Sequence, residues 1–339
     1  MPSPVFDGNA VFYKKDWNNT LDNWRRLKTE LKDLGYDLIT ADDNLLDGCE
    51  WIIFIDSTSI GGLQKGQTWP KRHLYEEALK RGLRGRMILF LWEGKAVNPK
   101  NYDKKVWDMF DYIFTWDDGL VDDKKFFKFF LPIPDTAPVS EALPFDKKKL
   151  LVNITINKYS RDKNELYSAR RRTISYFAEH YPDDFDMFGT RWNQPVTRWQ
   201  RYLPWLVKRY KNYHGMTEDK IGTLSKYRFA LCYENLSGAK GYVTEKIFDA
   251  FKAGAVPIYW GADNIGDYVD QETFIDRRRF KSDAELAAFL EGIAEKEHSA
   301  YVEAGKRFLQ SSRYRRFLPS NFCDSIIKAL GLDGSKRAI

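Results

Sequence analysis

Short, largely apolar runs that alternate with helical segments are the feature of this sequence that most constrains its fold. In the first part of the chain these runs are Glu50–Ile55, Met87–Trp92 and Phe110–Phe114, and apolar residues at helical spacing predict a helix over Trp17–Leu34. A further short strand is predicted at Tyr36–Thr40. Strands that are apolar along their whole length are typical of a parallel sheet covered by helices on both faces. The sequence therefore predicts an α/β fold.

A proline-rich stretch, Leu131–Pro144, interrupts this alternation with four prolines. Proline removes a backbone donor and resists regular structure, so we interpret this stretch as a linker. After it the alternation resumes, with strands predicted at Leu150–Ile156, Asp184–Phe188 and Phe229–Tyr233 and a helix at Asn164–His180.

The length of the chain also predicts two domains, because 339 residues exceed what one compact core usually holds. We place an N-terminal domain at residues 1–145 and a second domain at 146–310. A C-terminal tail, 311–339, is predicted to pack back on the fold. Paired α/β domains bind ligands in the cleft between them, at the carboxyl ends of the strands, and we expect the site there.

Charge and composition exclude several classes of protein. The net charge of +6 favours an anionic ligand or a peripheral contact with an anionic membrane, while no motif supports nucleic-acid binding. The three cysteines, Cys49, Cys232 and Cys323, are far apart, which predicts neither disulfides nor a zinc cluster. With no apolar run of about 18 residues and no signal pattern, we expect a cytoplasmic protein.

The segment Phe229–Gly261 carries the residues that we expect to bind a ligand. Its pattern predicts a strand, a glycine-bearing loop, a short helix and a further strand. Thr244 is predicted to cap this helix, which Gly254 ends. Loop amides and a helix N-terminus attract anions, and Lys246 adds a positive charge, so the arrangement suits a diphosphate.

Taken singly, these signals are weak, since a Glu-Lys pair at a helix start is usually surface charge. Their combination is specific: Glu-Asn ends the strand, Tyr-Val-Thr-Glu-Lys begins the helix, and Val-Pro-Ile precedes a further glycine. Over Cys232–Gly261 the chain resembles the donor-binding signature of the α-1,3/4-fucosyltransferases, glycosyltransferase family ten.

The resemblance implies a GT-B fold, in which two Rossmann-like domains face each other across a cleft. It implies inverting transfer of L-fucose from GDP-β-L-fucose to a glycan acceptor, with an α-1,3 linkage to a GlcNAc- or glucose-type residue. It also implies that Asn235, Tyr242, Glu245 and Lys246 contact GDP-fucose. The acceptor stays open between an oligosaccharide and a lipopolysaccharide branch.

Two alternatives stay open beside this function. The residues named would recognise a nucleotide and phosphate more directly than a sugar ring, so a GT-B transferase that uses another GDP-sugar, such as GDP-mannose, is the first. The second is a non-catalytic module that binds glycans or nucleic acid, which the aromatic content and the basic clusters would suit.

Two further residues follow from the resemblance. Arg170 occupies the position of an arginine that would neutralise the departing GDP, a role that suits a bidentate guanidinium. The alternative is a solvated basic face, which we assign to Arg171 and Arg172. Glu93 follows the predicted strand Met87–Trp92, where relatives carry the glutamate proposed to take the proton of the acceptor hydroxyl. Its alternative is a hydrogen-bonded loop carboxylate.

We expect no required metal or other cofactor beyond the donor. The acidic residues form adjacent pairs such as Asp117-Asp118, and adjacent side chains on a strand point to opposite faces. The segment Arg307–Leu330 mixes arginines with aromatics. We expect it to pack on the fold, with a membrane-surface or acceptor-side element as the alternative.

Overall fold

The computed structural model describes residues 9, 11–13, 21–41, 46, 48–57, 74–140 and 143–332. The chain divides into two compact units, one formed by Met1–Pro134 together with Arg316–Ile339 and the other by Asp135–Arg315. The boundary at Pro134 lies within the proline-rich stretch, and the residues after Arg315 return to the first unit.

The first unit is built on a four-stranded parallel sheet in the order β1-β2-β3-β4. The strands are β1 (Ile52–Ile55), β2 (Met87–Leu91), β3 (Tyr112–Thr115) and β4 (Phe126–Lys128), and the helices are α1 (Asp22–Asp33), α2 (Leu74–Lys80), α3 (Lys104–Trp107) and, near the end of the chain, α11 (Pro319–Ala329). Phe54 pairs with Leu89, which pairs in turn with Ile113. Every residue of β2 is buried, as expected for a strand that has neighbours on both sides and a covered sheet.

The segment Tyr36–Thr40 does not form the predicted strand. The Thr40 N–H donates to Asn9 Oδ1 at 2.8 Å, and the Asn9 N–H donates to Thr40 Oγ1 at 2.9 Å. An asparagine side chain thus takes the place of a neighbouring strand at Thr40. Short apolar patterns do not reveal such side-chain partners, because they come from distant positions in the sequence.

The second unit is built on a five-stranded parallel sheet in the order β6-β5-β7-β8-β9. Its strands are β5 (Lys149–Ile154), β6 (Phe185–Phe188), β7 (Tyr227–Tyr233), β8 (Val256–Trp260) and β9 (Ile275–Asp276). Its helices are α4 (Tyr167–His180), α5 (Arg198–Tyr202), α6 (Lys220–Leu224), α7 (Glu245–Ala253), α8 (Asp283–Gly292), α9 (Glu295–Leu309) and α10 (Ser312–Arg315). Side chains of α4 and α8, including Ile174, Phe177 and Leu286, join Leu151 and Phe229 of the sheet in one buried core.

The aromatic residues of Arg307–Leu330 are buried within their own units. Phe308 and Tyr314 lie with their ring centroids 6.2 and 5.4 Å from that of Phe248 in the second unit. In the first unit Phe322 of α11 packs edge-on against Trp24 of α1, at 5.3 Å. Among the helices of the described residues, none combines the length and the apolar character needed to cross a membrane.

Candidate functional site

The loop between β7 and α7 is shaped by glycines at the positions where the backbone turns into the left-handed region. Gly238 has φ 71° and Gly241 has φ 82°, values that cost little only for glycine. The Gly238 N–H donates to the Gly261 carbonyl at 3.3 Å, so the loop runs beside the end of β8. At Gly261 a Cβ atom would lie 2.5 Å from Glu234 Cγ. Any larger residue at position 261 would therefore clash with the Glu234 side chain.

Glu234, the first residue after β7, is fully buried and organises the start of α7. Its Oε1 accepts the Thr244 N–H at 2.8 Å, and the Thr244 hydroxyl lies 2.8 Å from Oε2. Lys246 Nζ donates to the same Oε2 at 3.0 Å. A buried carboxylate needs such partners. Glu234 is not among the residues predicted to form the site; the signal that could have identified it is an acidic residue directly after an apolar strand.

Thr244 stands at the N-cap of α7, but its side chain makes no capping hydrogen bond. Its hydroxyl instead contacts Glu234, and it accepts from Lys246 Nζ at 2.8 Å. Thr244 therefore occupies the predicted N-cap position but does not form the capping hydrogen bond. The Thr244 side chain thus does not cap the N–H groups of the first turn, and the Glu245 carboxylate accepts a hydrogen bond from its own backbone there; uncapped helix starts can bind anions.

Three further charged side chains continue this network along α7. Lys246 Nζ lies 3.7 Å from Glu245 Oε1, Lys220 Nζ lies 3.8 Å from the same oxygen, and Lys220 Nζ lies 2.6 Å from Asp249 Oδ2. Lys220 and Asp249 were not among the predicted site residues. Both are recognisable only once α6 is seen to pack against α7.

The charges in this network fix one another's ionisation. Burial lowers the pKa of Lys246, but the carboxylates of Glu234 and Glu245 outweigh that effect and leave the pKa above its usual value. Burial raises the pKa of Glu245, whereas Lys246 and Lys220 lower it by more, to about 2. Burial also lowers the pKa of Lys220, but Asp249 and Glu245 raise it by more, to above its usual value. At neutral pH both lysines are therefore cationic and Glu245 is ionised.

Arg170 lies beneath the end of β7 rather than on its surface. The guanidinium belongs to a residue only 2% exposed, and its Nη2 donates to the carbonyls of Tyr233 at 2.5 Å and Glu234 at 2.9 Å. Burial lowers the pKa of Arg170, and its Nε has no hydrogen-bond acceptor among the described residues. Its contact with phosphate stays a prediction, and what the geometry assigns to it is support of the strand end.

The neighbouring Arg171 does not lie on the solvated basic face to which the sequence analysis assigned it. It is half-buried rather than on a solvated face, and its Nη1 donates to the Lys158 carbonyl at 2.5 Å. Arg172 is exposed, as expected of a solvated basic residue.

Asn235 and Tyr242 lie together, and their predicted contact with GDP-fucose stays a prediction. Asn235 Nδ2 donates to Tyr242 Oη at 3.1 Å, and the Asn235 carbonyl accepts the Leu166 N–H at 3.0 Å. Tyr242 is buried. The predicted residues that gather around the β7–α7 loop are thus Arg170, Asn235, Tyr242, Glu245 and Lys246. Together with Glu234, Thr244, Lys220 and Asp249, we call these residues the donor-side assembly.

Glu93 belongs to the first unit, where it follows β2 and is half-buried. Asp56, the residue after β1, accepts the N–H groups of Trp92 at 2.8 Å and Glu93 at 3.1 Å on its Oδ1. Asn101 Nδ2 donates to the same oxygen at 2.6 Å and to the Glu93 carbonyl at 2.9 Å. Both sides of the Glu93 main chain are thereby fixed.

Asp56 itself carries two signs of a constrained position. Its φ of 59° lies in the left-handed region, which asparagine and aspartate tolerate better than other residues with a side chain. Burial raises its pKa, although the hydrogen bonds from Glu93, Asn101 and Trp92 act against this. Neither Asp56 nor Asn101 could be selected from the sequence, because their partner lies about 40 positions away along the chain.

Comparison with known proteins adds the family. Residues 146–324 match the model described as "Glycosyltransferase family 10 (fucosyltransferase) C-term". The match covers more than half of the chain and contains the whole donor-side assembly. The chain belongs to glycosyltransferase family 10. The family predicted from Cys232–Gly261 is thereby confirmed.

Family members with curated names match over shorter stretches. The chain is 43% identical over 72 residues to an α-(1,4)-fucosyltransferase of Arabidopsis thaliana, covering 21% of this chain and 18% of that protein. It is 42% identical over 65 residues to the α-(1,3)-fucosyltransferase FucT of Helicobacter pylori, covering 19% of this chain and 13% of that protein. These matches span less than a fifth of either relative.

Solved structures are similar over nearly the whole chain at low identity. A structure titled as an α1,3-fucosyltransferase aligns with a TM-score of 0.53 at 16% identity, covering 95% of this chain and 89% of that chain. WaaG, titled as a glycosyltransferase involved in lipopolysaccharide biosynthesis, aligns with a TM-score of 0.52 at 12% identity, covering 91% and 96%. At such identities the similarity concerns the fold, and it confirms the α/β fold of GT-B glycosyltransferases.

Proposed function

We propose that this chain is an inverting fucosyltransferase that transfers L-fucose from GDP-β-L-fucose to a hydroxyl group of a glycan acceptor, in an α-1,3 linkage to a GlcNAc- or glucose-type residue. The observation that carries the proposal is the donor-side assembly, which lies inside the region that matches the family model. The names of the curated relatives, α-1,3- and α-1,4-fucosyltransferases, support fucose as the sugar that is transferred.

The donor-side assembly suits a nucleotide diphosphate through directed groups rather than through excess charge. It contains three cationic and three anionic side chains: Arg170, Lys220 and Lys246, and Glu234, Glu245 and Asp249. Their formal charges cancel. Attraction therefore has to come from the start of α7 and from a redirected ammonium group, because an anion at a helix start gains from both N–H groups and the helix dipole.

Lys246 is the ammonium group best placed for this role. Its Nζ lies at the first turn of α7 and is held by Glu234 and Thr244. We infer that a β-phosphate takes over one of these contacts, and that Glu245 accepts hydrogen bonds from hydroxyl groups of the ribose or fucose. Arg170 adds its charge from beneath the strand end. In this proposal Lys246 stabilises the leaving group by direct contact. Arg170 would contact the leaving group only if its side chain moved.

In the reaction the acceptor oxygen attacks C1 of fucose while the bond from C1 to the β-phosphate oxygen breaks, and its electron pair leaves with GDP. A base has to take the proton of the acceptor hydroxyl. We assign this to the Glu93 carboxylate. The Asp56–Asn101 pair supports that role, since hydrogen bonds to both sides of the Glu93 main chain restrict where its side chain can point.

The decisive experiment measures release of GDP from a panel of GDP-sugars, with and without glycan acceptors. We expect turnover of GDP-fucose and none of GDP-mannose, with α-linked product identified by NMR. Turnover of GDP-mannose alone would establish the alternative donor, and binding of glycan without turnover of any donor would favour a non-catalytic module. Lys246→Ala should weaken GDP binding, with Lys240→Ala, an exposed lysine of the same loop, as the matched control.

Independence of metal is the last part of the proposal. Among the described residues no three His, Cys, Asp or Glu side chains are grouped so that they could hold an ion. We expect transfer to continue unchanged after exhaustive treatment with a chelator. Loss of activity that returns with added Mg²⁺ or Mn²⁺ would overturn this prediction.

A further inference from the structure

A segment of the second unit, residues 187–217, has a charge pattern that donor binding does not explain. It contains six basic residues and no acidic residue, so its formal charge equals the +6 of the whole chain. All six basic residues are exposed: Arg191, Arg198, Arg201, Lys208, Arg209 and Lys211. We call residues 187–217 the basic-aromatic segment.

The basic residues of this segment are not neutralised by the protein. Within the described ranges, none of the six lies within ion-pair distance of an acidic side chain, whereas elsewhere exposed cations such as Arg26 pair at 2.6 Å with a neighbour, Glu30. Like charges on one short segment repel one another. An anionic surface outside the chain would relieve that repulsion.

The same segment exposes several large apolar side chains. Trp199 is 72%, Tyr202 66% and Trp205 75% exposed, and Leu206 and Met216 are exposed beside them. Single exposed apolar residues are ordinary, but several large ones on one short stretch mark an interaction surface.

This exposure is built into the local structure. Thr197 and Gln200 form a capping box at the start of α5: Gln200 N–H donates to Thr197 Oγ1 at 3.2 Å and Thr197 N–H to Gln200 Oε1 at 3.1 Å. The Gln200 side chain also reaches beyond the end of α5, where its Nε2 donates to the Leu206 carbonyl at 3.4 Å. The turn is thereby closed on itself through polar atoms, and its aromatic rings are left on the outside.

Both flanks of the turn are anchored in the core of the second unit. Trp192 is buried, and its Nε1 donates to the Thr155 carbonyl at 2.7 Å. On the other side Asn212 Nδ2 donates to the Phe185 carbonyl at 2.9 Å. The exposed stretch between these two residues is therefore held at a fixed place on the unit.

We propose that the basic-aromatic segment docks the chain on the surface of an anionic phospholipid bilayer. Tryptophan and tyrosine settle at the level of the lipid headgroups, and arginine and lysine contribute attraction to an anionic leaflet. Basic residues with aromatics could also bind single-stranded nucleic acid, where bases stack on the rings. The exposed Leu206 and Met216 favour lipid, because aliphatic side chains offer no face for stacking.

The test is co-sedimentation of the full chain with vesicles of phosphatidylcholine alone and of phosphatidylcholine mixed with phosphatidylglycerol. We expect binding to the mixed vesicles that weakens as salt is added. The double variants Arg198→Ala/Arg201→Ala and Trp199→Ser/Trp205→Ser should each lower the partition coefficient on the order of tenfold or more. The matched controls, Lys104→Ala/Lys105→Ala and Tyr13→Ser, alter exposed residues of the first unit and should leave it unchanged.

Circular dichroism and thermal unfolding show whether each variant keeps its fold; all seven altered residues are exposed, so we expect no change. The proposal is overturned if the unaltered chain does not sediment with mixed vesicles. It is also overturned if the two double variants of the basic-aromatic segment sediment as well as the two controls. Binding of a single-stranded oligonucleotide or a soluble anionic polysaccharide without binding of vesicles would also overturn it.

Discussion

Two buried carboxylates hold the two halves of the proposed chemistry, and they are held differently. Glu234 follows β7 and binds a backbone N–H, a hydroxyl and the ammonium group of Lys246. Asp56 follows β1 and is bound by backbone and side-chain amides of Trp92, Glu93 and Asn101. The first therefore places a charged group that a donor would contact. The second places only the main chain from which a base projects.

This contrast teaches that a strand-end carboxylate can serve a site in two ways. Loss of Glu234 removes the nearest carboxylate from the largely buried Lys246, and breaking such an ion pair by removing one partner is costly. Loss of the charge on Asp56 leaves neutral amides that an oxygen of any carboxamide still satisfies. The predictions below test this difference.

The largest effect is expected for Glu93→Gln. Removal of the proposed base should lower kcat on the order of 10²- to 10⁴-fold while the affinity for GDP stays the same. Transfer is measured with saturating donor, and GDP binding by calorimetry; Glu50→Gln, an exposed glutamate of the same unit, is the control. A variant that retains its rate would remove Glu93 from the mechanism.

Glu234→Ala should destabilise the second unit by about 3 kcal/mol, because it removes the carboxylate nearest to the largely buried Lys246 and leaves only Glu245, at 3.7 Å, as an ion-pair partner. Denaturant unfolding followed by far-UV circular dichroism measures the change. The double variant Glu234→Ala/Lys246→Met should recover part of that loss. If the single and double variants are equally stable, the ion pair is not what makes Glu234 necessary.

At Asp56, substitution by alanine and by asparagine should have different effects on stability and on kcat. Asp56→Ala should cost about 1–3 kcal/mol, since three N–H donors lose their acceptor and alanine tolerates a φ of 59° poorly. Asp56→Asn keeps an acceptor oxygen and the left-handed backbone, so its stability should change by less than about 1 kcal/mol. The kcat of Asp56→Ala should fall with little change in the KM for donor, and Asp56→Asn should restore it. Equal kcat values in the two variants would contradict a role in positioning Glu93.

The smallest effect is a pH dependence from Glu245. Its pKa in the folded protein is about 2, below its ordinary value, so the stability that it contributes is present above the unfolded pKa and is lost as the pH falls towards 2. Because its side chain is 43% exposed, solvent screening keeps the contribution to about 1 kcal/mol. Glu245→Gln should flatten the fall in unfolding free energy below about pH 5. An unchanged acid profile would show that other carboxylates dominate it.

Much of the second unit could be predicted because its signals are local. The strand β7, the helix α7 and its end at Gly254, with φ 65°, follow from apolar runs and a glycine within a few residues of each other. The family signature lies in the same stretch. The first unit was harder, because the predicted strand Tyr36–Thr40 is replaced by a side-chain contact with Asn9.

The sequence by itself determined the α/β alternation, the family and five residues that gather around one loop. Tertiary structure alone decided that Arg170 lies buried beneath the strand end, that Glu234 and Lys220 belong to the network, and that Asp56 fixes the main chain of Glu93. The reason is physical. Periodicity and capping depend on near neighbours in sequence, whereas the burial and pairing of a charge depend on segments that meet only when the chain folds.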